Sequence, residues 1–191
     1  MEEALIAFEN LLKGKALDPD LKQVVYSLTA RQGEVKEFEA LLKIYESTDD
    51  HQEKIRVLRS FGAFRKPEIV KRVLDFAISD KVRSQDWFIP MAFLGMNEKA
   101  RPLAWEFLKT NWEMVVERYH GGGLFILPRA LDGIASGFVS RKELEDVETF
   151  FKTHKLEGAS RTMKQIVETV RTNIKWLERD NEDIKNWLAN C

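Results

Sequence analysis

The sequence predicts an all-α fold of stacked antiparallel helix pairs, an α-solenoid with no sheet, and three observations carry that expectation. Apolar residues recur at helical spacing almost throughout, the breaks between runs are short, and paired segments recur with a period of roughly 30 residues, near the solenoid range.

Three runs open the chain: Leu5, Phe8 and Leu12, then Leu21, Val24, Val25 and Leu28, then Phe38, Leu41, Leu42 and Tyr45. Each spaces its apolar residues so that one stripe of a helix is buried. Asp18-Pro19 places an N-cap before a proline at the first helical position, Gly33 closes a run, and Lys66-Pro67-Glu68 opens another. The pattern predicts further helices at 51–62, 67–79, 84–95, 98–109, 111–120, 123–137, 141–154, 160–178 and 180–189. The segments 34–48 with 51–62, 67–79 with 84–95, and 98–109 with 111–120 form the pairs.

At 191 residues the chain can bury a substantial core, and one helical-repeat domain over 1–191 is the expected organisation. Lys plus Arg number 30 against 31 Asp plus Glu, so net charge gives no reason to expect nucleic acid as a partner. The single cysteine, Cys191, excludes an internal disulfide framework and a cysteine-based zinc site, and a reducing, cytoplasmic setting fits. No stretch reaches the roughly 18 to 20 apolar residues of a membrane span, and Glu2, Glu3 and Glu9 stand where an export signal would be basic. No membrane partner is expected.

The chemistry-bearing residues are sparse. A zinc peptidase helix needs two histidines one turn apart with a glutamate between them, whereas His51, His120 and His154 are isolated. Neither the dinucleotide fingerprint nor the P-loop occurs, and Gly121-Gly122-Gly123 reads first as a helix stop and turn, with a cavity lining as the alternative. No catalytic residue, metal site or cofactor is expected in this chain.

Arg129 stands in an apolar segment running from Leu124 to Phe138, where it must snorkel outward, pair with a carboxylate such as Asp132, or face a polar cavity. Pro128 beside it is expected to kink the helix. Trp87, Trp105, Trp112, Trp176 and Trp187 are expected in the buried stripes, and the runs Lys54-Arg56-Arg59 and Lys71-Arg72 on solvated faces.

Leu58 to Ala63, the helix from Pro67 to Ile78, and Val82-Arg83-Ser84-Gln85-Asp86 resemble the C-terminal helical domain of puromycin-sensitive-type zinc aminopeptidases. The resemblance continues through Ala104 to Lys109, Asn111-Trp112, Arg118-Tyr119, Gly137-Phe138, Glu148 to Phe151 and Asn173 to Leu177. It covers nearly the whole chain and implies the HEAT-like helical bowl of that family, which the endoplasmic-reticulum aminopeptidases share.

In such enzymes the His-Glu-x-x-His zinc helix and the Gly-x-Met-x-Asn motif lie in an upstream domain, and neither motif is present in this sequence. The resemblance therefore implies a noncatalytic C-terminal portion of a larger aminopeptidase, with zinc in the parent's catalytic domain. It implies that domain and peptide substrates as partners. The implied role is to close the active-site cleft and form a chamber for the peptide's body and C-terminus. His120, Phe125, Arg129 and Gly137 are the implied chamber residues, with Phe125 and Gly137 differing in residue type from the family's positions. The alternative expectation is a freestanding helical-repeat scaffold that binds a protein partner through its concave face.

Overall fold

The computed structural model describes residues 2–119, 126–156 and 158–190. Among these residues it has eleven α-helices and no strand: α1 (Glu2–Leu12), α2 (Pro19–Gln32), α3 (Val35–Ser47), α4 (His51–Phe61), α5 (Pro67–Ala77), α6 (Phe88–Met96), α7 (Arg101–Thr110), α8 (Trp112–Tyr119), α9 (Ile126–Ala135), α10 (Arg141–Thr153) and α11 (Ser160–Ala189). The all-α expectation therefore holds. The chain divides into two compact units, 1–134 and 135–191.

Local signals set the helix ends much as the sequence suggests. Asp18 caps α2 by accepting from the Asp20 N–H at 2.9 Å, and Pro19 takes the first helical position, where its missing N–H costs no intrahelical bond. Asp50 caps α4 in the same way, accepting from the Gln52 N–H at 2.9 Å. Ser140 and Glu143 form a reciprocal capping box at the start of α10.

Several expectations are corrected. The segments 160–178 and 180–189 form one 30-residue helix, because Arg179-Asp180-Asn181 holds neither glycine nor proline and cannot stop it. The helix expected from residue 84 starts at Phe88, after turns through residues 80–87. Trp87, Trp105 and Trp112 are buried, but Trp176 and Trp187 on α11 are 54% and 67% exposed. Leu12, Leu21 and Val24 are also exposed, since α1 and α2 pack through Phe8 and Tyr26, with ring centroids 5.9 Å apart, and leave their outer faces bare.

In the first unit α2 packs on α4 and α4 on α6, while α1, α3, α5 and α7 pack on these and on their sequence neighbours. An aromatic cluster fills the space between α3, α4 and α5: Phe38 stacks on Phe61 at 5.2 Å, and Phe61 meets Phe76 edge-on at 5.7 Å. Further along, Trp87 stacks on Tyr119 at 4.3 Å. In the second unit α10 packs on α11 through Phe150, Phe151, Met163, Ile166 and Val170.

The central helix α6 has no charged residue and buries Pro90, Met91, Leu94 and Gly95, while Phe93 and Met96 are exposed. Its neighbours approach so closely that three positions admit no side chain. A Cβ on Gly62 would lie 2.3 Å from the Phe93 Cβ, one on Gly95 would lie 2.1 Å from the Gly133 carbonyl oxygen, and one on Gly133 would lie 2.5 Å from the Ala92 Cβ. The α4–α6 and α6–α9 crossings are therefore set by backbone lying against backbone.

Four polar side chains between α2 and α4 are joined into one network. Glu53 is buried at the start of α4 and accepts hydrogen bonds from the Tyr26 hydroxyl at 2.5 Å, Lys22 Nζ at 3.1 Å and an Arg56 guanidinium nitrogen at 2.9 Å. Burial pulls the Glu53 carboxyl upward. The Tyr26 and Lys22 hydrogen bonds, the Lys22 charge and the Arg56 hydrogen bond together outweigh it and leave the group below the usual carboxylate range. Burial and the bond to Glu53 push the Tyr26 phenol up. The Tyr119 hydroxyl, also raised chiefly by burial, has no hydrogen-bond partner among the described residues.

These contacts give two expectations. Gly95→Ala gains about 1 kcal/mol of helix propensity but forces backbone apart, so net destabilisation of about 2 kcal/mol and a Tm lowered by about 5 °C are expected in thermal melts. A variant as stable as the parent would show that α6 and α9 have room to separate. Tyr26→Phe strips a buried carboxylate of a donor and is expected to cost about 1–3 kcal/mol in urea unfolding, whereas Tyr119→Phe removes an unpaired hydroxyl and is expected to be neutral or stabilising. Equal losses in the two variants would contradict the network.

Candidate functional site

Of the residues expected to line a chamber, Arg129 lies on α9. Leu127, Ala130, Leu131 and Ile134 turn one face of α9 into the core, which leaves Arg129 on the exposed face. The apolar run is thus an amphipathic helix whose arginine points outward. Its guanidinium lies over the Phe88 ring at 5.8 Å from the centroid, and among the described residues no ion pair joins it to Asp132. The Gly95–Gly133 crossing holds α9 against α6 and so fixes the cation's base.

Gly137 belongs to the second unit, in the turn that follows α9. That turn is clamped from α11: the Asn173 side-chain N–H₂ donates to the Ser136 carbonyl at 2.8 Å and the Phe138 carbonyl at 3.2 Å. His120 and Phe125 lie outside the described residues, as does the Gly121-Gly122-Gly123 triplet.

Two concave features were not foreseen. A cleft of about 480 Å³ in the first unit is lined by Arg31, Arg59, Arg65 and Arg101, with Glu98, Phe93 and Met96 among the other walls. A groove of about 1090 Å³ in the second unit runs between α10 and α11, with Phe151, Leu156 and Met163 below and Lys152, Lys155 and Lys164 at its edge. No local sequence signal marks the cleft, since its arginines are drawn from positions 31, 59, 65 and 101.

The basic runs read as solvated faces are more engaged than expected. Lys54 lies 5.4 Å from the Tyr45 ring centroid, Arg56 binds Glu53, and Arg72 covers the Phe38 ring at 4.5 Å while pairing with Glu39. Long cationic side chains bury their stems on apolar surface in this way.

The described residues do not fit a zinc ion, because no group of three or more His, Cys, Asp or Glu comes together among them. His51 Nδ1 is 3.9 Å from Asp86, and His154 stacks on Phe150 at 4.2 Å. No described helix is long and apolar enough to cross a membrane.

Residues 1–172 match the family described as ERAP1-like C-terminal domain. Similar proteins include Aminopeptidase M1 of Arabidopsis thaliana, 33% identical over 93% of this chain and 20% of that protein. Aminopeptidase 2, mitochondrial, of Saccharomyces cerevisiae is 28% identical over 97% of this chain and 20% of its own length. Aminopeptidase A of Gloydius brevicauda is 28% identical over 98% and 20%. The chain thus spans about a fifth of the length of these curated relatives. On the extent of the family match, carried by an all-α chain with no strand among its described residues, this protein belongs to the ERAP1-like C-terminal domain family.

Proposed function

We propose that this chain is the noncatalytic C-terminal part of a zinc aminopeptidase, closing the active-site cleft and lining the chamber that receives the peptide's body and C-terminus. The observation that carries the reading is the family match over residues 1–172, in a chain that spans a fifth of relatives named as aminopeptidases. In this reading residues 1–191 act as one helical-repeat domain. Zinc and the hydrolytic residues belong to the catalytic domain, and that domain is the partner.

The chemistry available on α9 supports such a role. Arg129 is an exposed cation anchored at its base, and a guanidinium recognises a carboxylate through two parallel charge-assisted hydrogen bonds. Within a closed chamber, with water partly excluded, that attraction strengthens. It would hold the C-terminal carboxylate of a peptide and leave the reacting N-terminal bond to the catalytic domain. His120, Phe125 and Gly137 are proposed as further chamber residues.

A second reading, a freestanding scaffold for a protein partner, is favoured by one observation. The distal half of α11 exposes Trp176, Leu177, Ile184, Trp187 and Leu188. Apolar side chains gathered on one element in this manner are typical of interaction surfaces.

The two readings separate when the chain is mixed with the catalytic portion of a related aminopeptidase and hydrolysis of peptides of increasing length is followed. The proposal expects association and length-dependent hydrolysis. It also expects Arg129→Ala to lower kcat/KM for long peptides by about tenfold, the equivalent of one charge-assisted contact, and to spare C-terminally amidated ones. Absence of association and of any rate effect would overturn it in favour of the scaffold.

A further inference from the structure

The arginine-lined cleft of the first unit uses neither α9 nor the groove in the second unit, and its cations come from four separate places. Arg31 lies in the last turn of α2, Arg59 in the last turn of α4, Arg65 in the connection to α5, and Arg101 at the first residue of α7. Against them the cleft holds one carboxylate, Glu98. Folding thus concentrates positive charge locally in a chain whose overall charge is -1.

Among the described residues, ion pairing within the fold does not absorb Arg31, Arg59 or Arg65. Elsewhere in the unit Lys22 and Arg56 bind Glu53, Lys66 binds Glu34, Arg72 binds Glu39, Lys81 binds Glu46 and Arg118 binds Asp80. Among the described residues Arg31, Arg59 and Arg65 have no ion pair of this kind and no side-chain hydrogen bond.

Helix capping does not absorb them either. Cations suit the last turns of α2 and α4, where backbone carbonyls carry partial negative charge. Three backbone carbonyls at or beside the ends of α4 and α6 already have other donors. The Asn97 side-chain N–H₂ donates to Gly62 at 3.0 Å and Phe64 at 2.7 Å, and Arg101 Nε donates to Gly95 at 2.5 Å. Arg65 lies outside any helix.

The site also has a defined wall. Gly62, packed so tightly on Phe93 that a Cβ does not fit, seats α4 against α6, and Met96 beside it is 72% exposed. The lining thus combines cations with the apolar Phe93 and Met96.

We propose that this cleft binds a multiply charged oxyanion, held by the guanidinium forks of Arg31, Arg59 and Arg65, with Arg101 adding positive charge. A guanidinium fork matches the spacing of two oxygens on phosphorus or on a carboxylate, and a monocarboxylate would engage only one of the three. Pyrophosphate-type groups and tricarboxylates share the required chemistry. Because the arginines are exposed, affinity falls as ionic strength rises.

The test is calorimetric titration of the full 191-residue chain, at low ionic strength, with pyrophosphate, citrate and acetate in separate runs. The expected result is saturable one-site binding of pyrophosphate or citrate, with acetate about tenfold weaker or more. Whichever of the two binds more tightly identifies the phosphate-type or carboxylate-type source. The Arg59→Gln/Arg65→Gln double variant is expected to lose about tenfold or more in affinity, while Lys81→Gln on another face leaves it unchanged. Thermal melts check the fold of each variant. Should the double variant not fold, Arg31→Gln, on a different helix, is expected to weaken binding by about fivefold. Absence of binding by both polyanions, or equal binding by the parent and the folded arginine variants, overturns the proposal. Neither result bears on the aminopeptidase reading, which this site does not require.

Discussion

The close approach of backbones at α6 is the constraint on which the first unit depends. Gly62, Gly95 and Gly133 sit where α6 meets α4 and α9, and none of the three positions has space for a Cβ. Such contacts draw helix axes together and bring many dispersion contacts into range on either side. The cost is helix propensity at the two helical glycines, Gly95 and Gly133, about 1 kcal/mol per residue, which the surrounding packing must offset. Both concave and cationic features of the unit inherit their geometry from these crossings. The α6–α9 contact seats the helix that carries Arg129, and the α4–α6 contact forms the wall of the arginine cleft.

A second device recurs where helices end. Asn97 satisfies the carbonyls of Gly62 and Phe64 after α4, and Asn173 satisfies those of Ser136 and Phe138 after α9. In each case one amide binds two carbonyls two residues apart in a turn that leaves a helix through a glycine and a phenylalanine. Buried or half-buried carbonyls at a helix end need such donors, and an asparagine supplies both N–H groups from one side chain. The same solution occurs in each unit. It escaped notice in the sequence because the donors lie 33 to 37 residues from their acceptors.

Most helix boundaries were legible because they depend on local chemistry: Asp18-Pro19, Lys66-Pro67 and the spacing of Phe38, Leu41 and Tyr45 act within a turn or two. What was illegible depends on partners. Leu21, Trp176 and Trp187 occupy helical positions suited to burial, yet exposure is decided by whether another element covers that face. The continuous α11 was read as two helices because its apolar stripe weakens near Asp180, although nothing there breaks a helix. At the candidate site Arg129 stands out in the sequence as a cation in an apolar run, but its outward direction follows only from the helix face. The arginine cleft was invisible because overall charge and local runs carry no trace of a cluster assembled by tertiary packing.

The central claim, that backbone contact at α6 organises the first unit, is tested most directly by native-state hydrogen exchange resolved by residue. Slowest exchange is predicted for the amides of α6 from Met91 to Gly95 and for those of α4 that face them, at rates near global unfolding, with the distal end of α11 exchanging orders of magnitude faster. Exchange in α6 as fast as at the end of α11 would contradict the claim and place the organising core elsewhere.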